Sequence, residues 1–182
     1  LLWIGAVTAV VAVVRALAQR DTKKLLAYHS VSQMGYVLAA FGAAAAAGAT
    51  AAQAGAGSLG LTASVYHAVN HGLFKSLLFL AVGSAVVMTG ERDVYRMPRL
   101  GRRAPLLAAL FFIGALSIAG IPGFNGYASK TLISAALDGS PAYWLLWLTG
   151  AGTVASFLKL SRVFLPGPPG TSPHDDAAAL SG

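Results

Sequence analysis

The chain contains no cysteine, which excludes disulfides and thiolate metal sites. Charge is also scarce: 10% of its 182 residues are charged, against about 25% in an average globular domain. A water-soluble fold this poor in charge could not cover its surface, so the class is integral membrane protein. Acidic residues are the scarcest. Asp21, Glu91, Asp93, Asp138, Asp175 and Asp176 all lie at connections or in the C-terminal tail, so no carboxylate falls within an apolar run. Alternating ten-residue segments are lacking, which excludes a membrane β-barrel. The net charge of +7 comes without a basic stripe interleaved with aromatics, so nucleic acid is not an expected partner. An initiator Met is missing as well. The sequence opens on Leu1-Leu2-Trp3-Ile4, inside an apolar run, with no basic leader, and is expected to be part of a longer protein rather than to begin with a signal peptide.

What is present is apolar and helical. Five runs approach or exceed the ~20 residues of a helical crossing: residues 1–18, 25–47, 61–88, 105–137 and 143–165. The expected fold is an all-α integral membrane bundle of about five transmembrane helices, the fourth discontinuous. Abundant alanine and glycine suit close helix packing in lipid. Residues 166–182, rich in Pro, Gly, Ser and Asp, are expected to form a solvated, disordered tail.

Basic residues follow the connections. Arg15, Arg20, Lys23 and Lys24 surround the first, Arg92, Arg96, Arg99, Arg102 and Arg103 fill the third, and Lys159 and Arg162 end the fifth run. The second and fourth connections carry no basic residue. This alternation predicts basic loops on the cytoplasmic side of a plasma membrane. Eleven of the 13 lysines and arginines are thereby explained. Lys75 and Lys130 are not. An ammonium at the bilayer centre costs roughly 2.5–3.5 kcal/mol and usually faces a cavity or the bundle interior.

In the third run His67, His71 and Lys75 recur at i, i+4 and i+8, on one helix face, with Asn70 beside them. A row of groups that can take and release protons suits a proton relay. The plainer reading has the histidines bonding to neighbouring helices and Lys75 snorkelling. A zinc site is a weaker rival, because no third ligand lies nearby in sequence.

In the fourth run Gly120, Pro122, Gly123 and Gly126 break an apolar helix, and Lys130 follows. Pro122 removes a backbone donor. Unwound backbone at membrane depth is tolerated only in a protein interior or a wet cavity. Ser117, Asn125 and Ser129 are candidates to satisfy the freed backbone. The plainer reading is a proline kink with a snorkelling Lys130. Candidate partners for Lys130 are water, His71, Lys75 through water, or a residue outside this chain. In the second run His29, Ser32 and Gln33 either line a water-filled route or bond helix to helix. Lys24 reads as a membrane anchor. Lys23 is either an anchor or part of that route.

Three stretches then resemble one family. Residues 21–36, DTKKLLAYHSVSQMGY, resemble a D-x-K-[KR]-x-[LI]-A-Y-S-S-x-S-Q-x-G signature. Residues 67–80, HAVNHGLFKSLLFL, resemble an H-x-x-x-H-x-x-[FL]-K-[AS]-x-L-F-L helix. Residues 120–130, GIPGFNGYASK, resemble a G-[IL]-P-[PG]-x-x-G-F-x-[SG]-K broken helix. All belong to the antiporter-like membrane subunits of respiratory complex I, Mrp-type cation/proton antiporters and membrane-bound hydrogenases. The resemblance covers residues 1–165 and implies the second of two inverted five-helix repeats. It further implies that Lys130, Lys75, His71, His67 and Lys23 belong to a proton pathway. The family's essential glutamate is expected in the other repeat. His29 departs from the usual serine, and Tyr127 from the usual phenylalanine. Lys130, where some complex I subunits use glutamate, speaks against those subunits.

The function so implied is proton translocation within a complex I-like NADH:quinone oxidoreductase or related hydrogenase complex. The alternatives are an Mrp-type sodium/proton antiporter subunit and a non-conducting structural membrane subunit. The expected partners are lipid and other antiporter-like and small membrane subunits. The coupled ion is H+ or Na+, and no redox centre or cofactor is expected in this chain.

Overall fold

The computed structural model describes residues 1–47 and 54–167. Among these residues six helices follow one another: α1 (Leu2–Ala18), α2 (Thr22–Ala47), α3 (Ala54–Thr89), α4 (Pro105–Ala119), α5 (Asn125–Ala136) and α6 (Ala142–Ser161). No strand occurs among the described residues. The expected tail lies outside them beyond residue 167, as does the second connection over 48–53.

Local chemistry sets the helix ends. Asp21 accepts the Lys24 backbone N–H at 3.0 Å and so starts α2 at Thr22 rather than residue 25. Helix α3 begins at Ala54, earlier than the expected residue 61. Pro105 occupies the first turn of α4, where its missing N–H costs nothing. The run 105–137 divides into α4 and α5, with the break at 120–124. Among the described residues, Thr22–Ala47 and Ser58–Thr89 are the helices long and apolar enough by themselves to cross a membrane, while Leu2–Ala18 and Pro105–Ala119 are shorter apolar helices.

Helices α1 and α2 pack along a seam of small residues. A Cβ at Gly5 would lie 2.4 Å from the Ala39 nitrogen, and one at Gly35 would lie 2.7 Å from the Ala9 nitrogen. Ser32 reinforces the seam by donating to the Ala9 carbonyl at 3.0 Å. Backbones this close leave no room to give. Gly35→Val is expected to destabilise the bundle by about 1–3 kcal/mol through overpacking, read as a lower melting temperature of the detergent-solubilised protein.

The ends of α1, α3 and α6 are braced together. Thr22 N–H donates to the Arg92 carbonyl at 2.9 Å, and Val94 N–H to that of Arg20 at 2.9 Å. Arg162 donates to the carbonyls of Val94 and Tyr95 at 3.0 and 2.8 Å. Leu100 N–H donates to the Val163 carbonyl at 2.7 Å. Much of the basic end is thus a fixed plate.

Two apolar clusters fill the bundle. One, toward this plate, joins Leu25, Leu26, Phe74, Leu78, Phe111, Ile118, Phe157 and Leu160. The other joins Ala6, Ala9, Tyr36, Ala39, Ala63, Ile133 and Leu146. Between them each longer helix contributes polar residues: His29 and Gln33 from α2, His67 and Asn70 from α3, Thr149 and Thr153 from α6. A polar layer is therefore held between two apolar ones.

Candidate functional site

Most of the site lies in that layer, and its centre is the break between α4 and α5. Gly120 adopts φ +80 as the C-cap of α4, and the last carbonyls of α4 have no partners further along a helix. Helix α5 begins beside these carbonyls. Lys130 lies one turn into α5, and its Nζ donates to the Ile118 carbonyl at 2.6 Å. Its stem crosses Gly120, where a Cβ would sit 3.0 Å from Lys130 Cδ. The Tyr36 ring stands 5.2 Å from Nζ. Breaking the helix thus exposes the negative end of the α4 dipole to an amine. The sequence pointed to water, His71, Lys75 or a residue outside the chain as partner. Among the described residues Lys130 meets a backbone carbonyl and an aromatic face, a pairing that no side-chain pattern encodes.

His67 links α2, α3 and α5. It is fully buried, with Nδ1 2.9 Å from Ser129 Oγ and Nε2 3.1 Å from Gln33 Oε1. With Gln33 Oε1 accepting, Nε2 carries the proton and Nδ1 of the neutral ring accepts from the Ser129 hydroxyl. That hydroxyl also lies 3.2 Å from the Gly126 carbonyl and 3.4 Å from that of Asn125. Rotating one O–H therefore makes or breaks the link between His67 and the helix bearing Lys130. Asn70 and Asn125 exchange a side-chain bond at 3.2 Å, and Asn70 donates to the Asn125 carbonyl at 3.3 Å. These contacts fasten the start of α5 to α3.

Lys75 is buried, and its Nζ donates to the Leu26 carbonyl of α2 and stands 5.0 Å from the Phe79 ring. It reaches inward and does not snorkel. His71 lies between Lys75 and His67, half-buried, with its ring edge-on to Phe74 and its buried Nε2 unpartnered.

Other expected members stand apart or serve packing. Lys23 is exposed in the first turn of α2, away from the layer. Ser32 bonds helix to helix through the Ala9 carbonyl of α1, and Ser117 donates to Ile113 within its own helix at 2.8 Å, so Ser117 does not serve the broken backbone. Pro122 lies exposed in the turn itself. Ser129 Oγ lies beside carbonyls of the first turn of its own helix rather than those freed at the end of α4, and the Asn125 side chain turns to Asn70. His29 is fully buried, and both its ring nitrogens lack partners.

The sequence reading missed the contribution of α6. Thr149, Thr153 and Ser156 are fully buried at i, i+4 and i+7, one face of the helix. Thr149 and Thr153 donate to carbonyls one turn back at 2.8 and 2.9 Å, while Ser156 Oγ has no partner. Their spacing was the available signal. Tyr36 was missed too; its hydroxyl donates to the Leu146 carbonyl at 2.5 Å and fixes the ring beneath Lys130. A cavity of about 520 Å³ opens beside Lys130, lined by Tyr36, Tyr127, Tyr143 and Trp147 among others.

Comparison with known proteins places this architecture. The chain is 33% identical over 190 residues to formate hydrogenlyase subunit 3 of Escherichia coli, an alignment covering 97% of this chain and 31% of that protein. It is 34% identical over 166 residues to NAD(P)H-quinone oxidoreductase chain 5 of a Picosynechococcus strain, covering 86% of this chain and 23% of the relative. The chain thus spans a third or less of these relatives. Among solved structures, the Mrp complex from Dietzia sp. superposes with a TM-score of 0.77 at 32% identity, covering 94% of this chain and 31% of that one. Respiratory complex I from Thermus thermophilus superposes with a TM-score of 0.67 at 25% identity, covering 97% and 39%. Residues 1–158 match the family described as NADH:quinone oxidoreductase/Mrp antiporter, transmembrane. A broken helix presenting Lys130, a histidine–lysine face on α3 and these relatives together show that the chain belongs to this family of integral membrane, antiporter-like subunits.

Proposed function

We propose that the chain carries protons across part of a membrane as the second repeat of an antiporter-like subunit. The observation that carries this reading is the row Lys75, His71 and His67 on one face of α3, with His67 meeting Ser129, the residue before Lys130, on α5. Each lysine amine binds a backbone carbonyl rather than a carboxylate. A proton can therefore leave either amine without stranding a buried negative charge. The reading includes five crossings, with α4 and α5 together making the fourth. The basic plate faces the cytoplasm of a prokaryotic cell, and Lys23 sits at that face, outside the buried set. Other antiporter-like and small membrane subunits of a complex I-like or hydrogenase assembly would surround the chain. Redox chemistry would belong to those partners.

Lys75→Met tests this in the complete complex reconstituted in vesicles. Proton uptake should fall by about tenfold or more, while native gels show unchanged assembly. Lys75→Arg, which keeps the charge but cannot release a proton, should be equally slow. Normal uptake in both variants would refute the relay.

The Mrp likeness supports a second reading, sodium/proton exchange. Vesicles given a sodium gradient, without NADH or hydrogen, separate the two. A sodium-driven pH change assigns exchange. No change, alongside uptake driven by electron transfer, assigns the redox-coupled complex.

A further inference from the structure

Lys75 and Lys130 are held in the same way. Each amine donates to a backbone carbonyl and stands over an aromatic ring, Lys75 with Leu26 and Phe79, Lys130 with Ile118 and Tyr36. The rings differ in how they are mounted. Phe79 is exposed and lies one turn from Lys75 on the same helix, so it moves with its lysine. Tyr36 is buried and belongs to α2, whereas Lys130 belongs to α5. The Tyr36 hydroxyl donates to the Leu146 carbonyl of α6 at 2.5 Å. Contacts from three helices therefore fix this ring against this amine.

Packing alone does not account for an aromatic residue at this point. The centre of the Tyr36 ring lies 5.2 Å from Lys130 Nζ, inside the ~6 Å reach of a cation–π contact, and 5.7 Å from the centre of the His67 ring. His67 in turn meets Ser129, the residue before Lys130. The ring thus stands against both sides of the junction between α3 and α5. An aliphatic side chain would fill space there but would offer no negative face to a cation. Lys130 also has somewhere else to go. It and Tyr36 line the cavity of about 520 Å³, with Thr131 and Ser134 among the other walls. A lysine stem is flexible and its ammonium strongly hydrated. With the Ile118 carbonyl alone to hold it, the amine would be drawn toward water and hydroxyls in that cavity.

We propose that Tyr36 is the positioning residue of Lys130, its ring holding the protonated amine against the Ile118 carbonyl and out of the adjoining cavity. This rests on the proton-transport reading above. The hold depends on charge, because the ring face attracts an ammonium through its quadrupole and has no such attraction for a neutral amine. Tyr36 therefore grips Lys130 while the lysine carries its proton and releases it once the proton has left. The ring itself takes up no proton. Its hydroxyl serves to keep the face turned to the amine.

The test uses the complete complex in vesicles, with Lys130→Met, Tyr36→Leu, Tyr36→Phe, and phenylalanines bearing one, two or three ring fluorines in place of Tyr36. Fluorine withdraws charge from the ring face and leaves the ring nearly the same size. Within the phenylalanine series the lost bond to Leu146 is constant, so it cancels. Expected is a loss of about twofold in proton uptake for Tyr36→Phe, growing with each fluorine to about tenfold for the trifluorinated ring and for Tyr36→Leu. Should Tyr36→Phe fail to assemble on native gels, fluorotyrosines keep the hydroxyl and carry the same comparison. If Lys130→Met leaves uptake normal, the transport reading itself fails. If Lys130→Met blocks uptake while fluorinated and unfluorinated rings perform alike, Tyr36 only packs and the proposal is overturned. Uptake that rises with fluorine overturns it too, since the ring would then be retarding Lys130 rather than placing it.

Discussion

Lys130→Met is expected to lower proton uptake by about a hundredfold, the usual worth of a positioned acid–base group, with the complex still assembled. Methionine keeps the apolar stem that lies across Gly120 and beside Tyr36. What it removes is the amine that donates to the Ile118 carbonyl at 2.6 Å. That carbonyl can recover water, because Lys130 is only half-buried and a cavity opens beside it. The cost to folding should therefore be small and the cost to transport large. Lys130→Arg sharpens the result. It retains a cation at the negative end of α4 but holds its proton at any working pH. If Lys130 serves only to neutralise the helix dipole, arginine restores uptake. If it exchanges protons, arginine is as inactive as methionine. Fluorescent pH dyes in vesicles read the rate, and native gels confirm assembly.

The ease of reading this site from the sequence varied with the kind of interaction. The break was legible because glycine and proline act locally, and Gly120 does take a positive φ. The α3 face was legible because helical spacing fixes direction, so His67, His71 and Lys75 had to share one side. The partners were not legible. Lys75 and Lys130 both bind backbone carbonyls, and every residue has one. That His67 rather than His71 meets Ser129 depends on how far α5 slides along α3. No local preference encodes that offset. The polar residues of α6 were overlooked because threonine and serine in an apolar run look like small packing residues. The plate at the basic end depends on backbone bonds between distant loops, and those leave no mark on side-chain pattern.

Gly126→Ala should be the most damaging added methyl among the described glycines. A Cβ there would lie 1.8 Å from the Ser117 carbonyl oxygen and 2.8 Å from its carbon. Both are backbone atoms of α4, so no rotamer change relieves the clash. The helices would have to part, by an ångström or more at ordinary contact distance. Several bonds converge there: Ser129 Oγ to the Gly126 carbonyl at 3.2 Å, Asn70 to the Asn125 carbonyl at 3.3 Å, and Lys130 to Ile118 at 2.6 Å. Overpacking commonly costs about 1–3 kcal/mol, and the loss of buried polar contacts adds to it. The expected loss of about 3 kcal/mol or more should appear as little assembled complex on native gels and a clearly lower melting temperature. Ala128→Val, two residues along and exposed, should leave both unchanged. A stable Gly126→Ala complex with normal uptake would mean that α5 need not lie against the last turn of α4. The carbonyl site for Lys130 would then lose its structural basis. A stable complex with uptake lost would instead place the proton step at the α4–α5 contact itself, where Lys130 can shift by small distances between the Ile118 carbonyl and the cavity beside it.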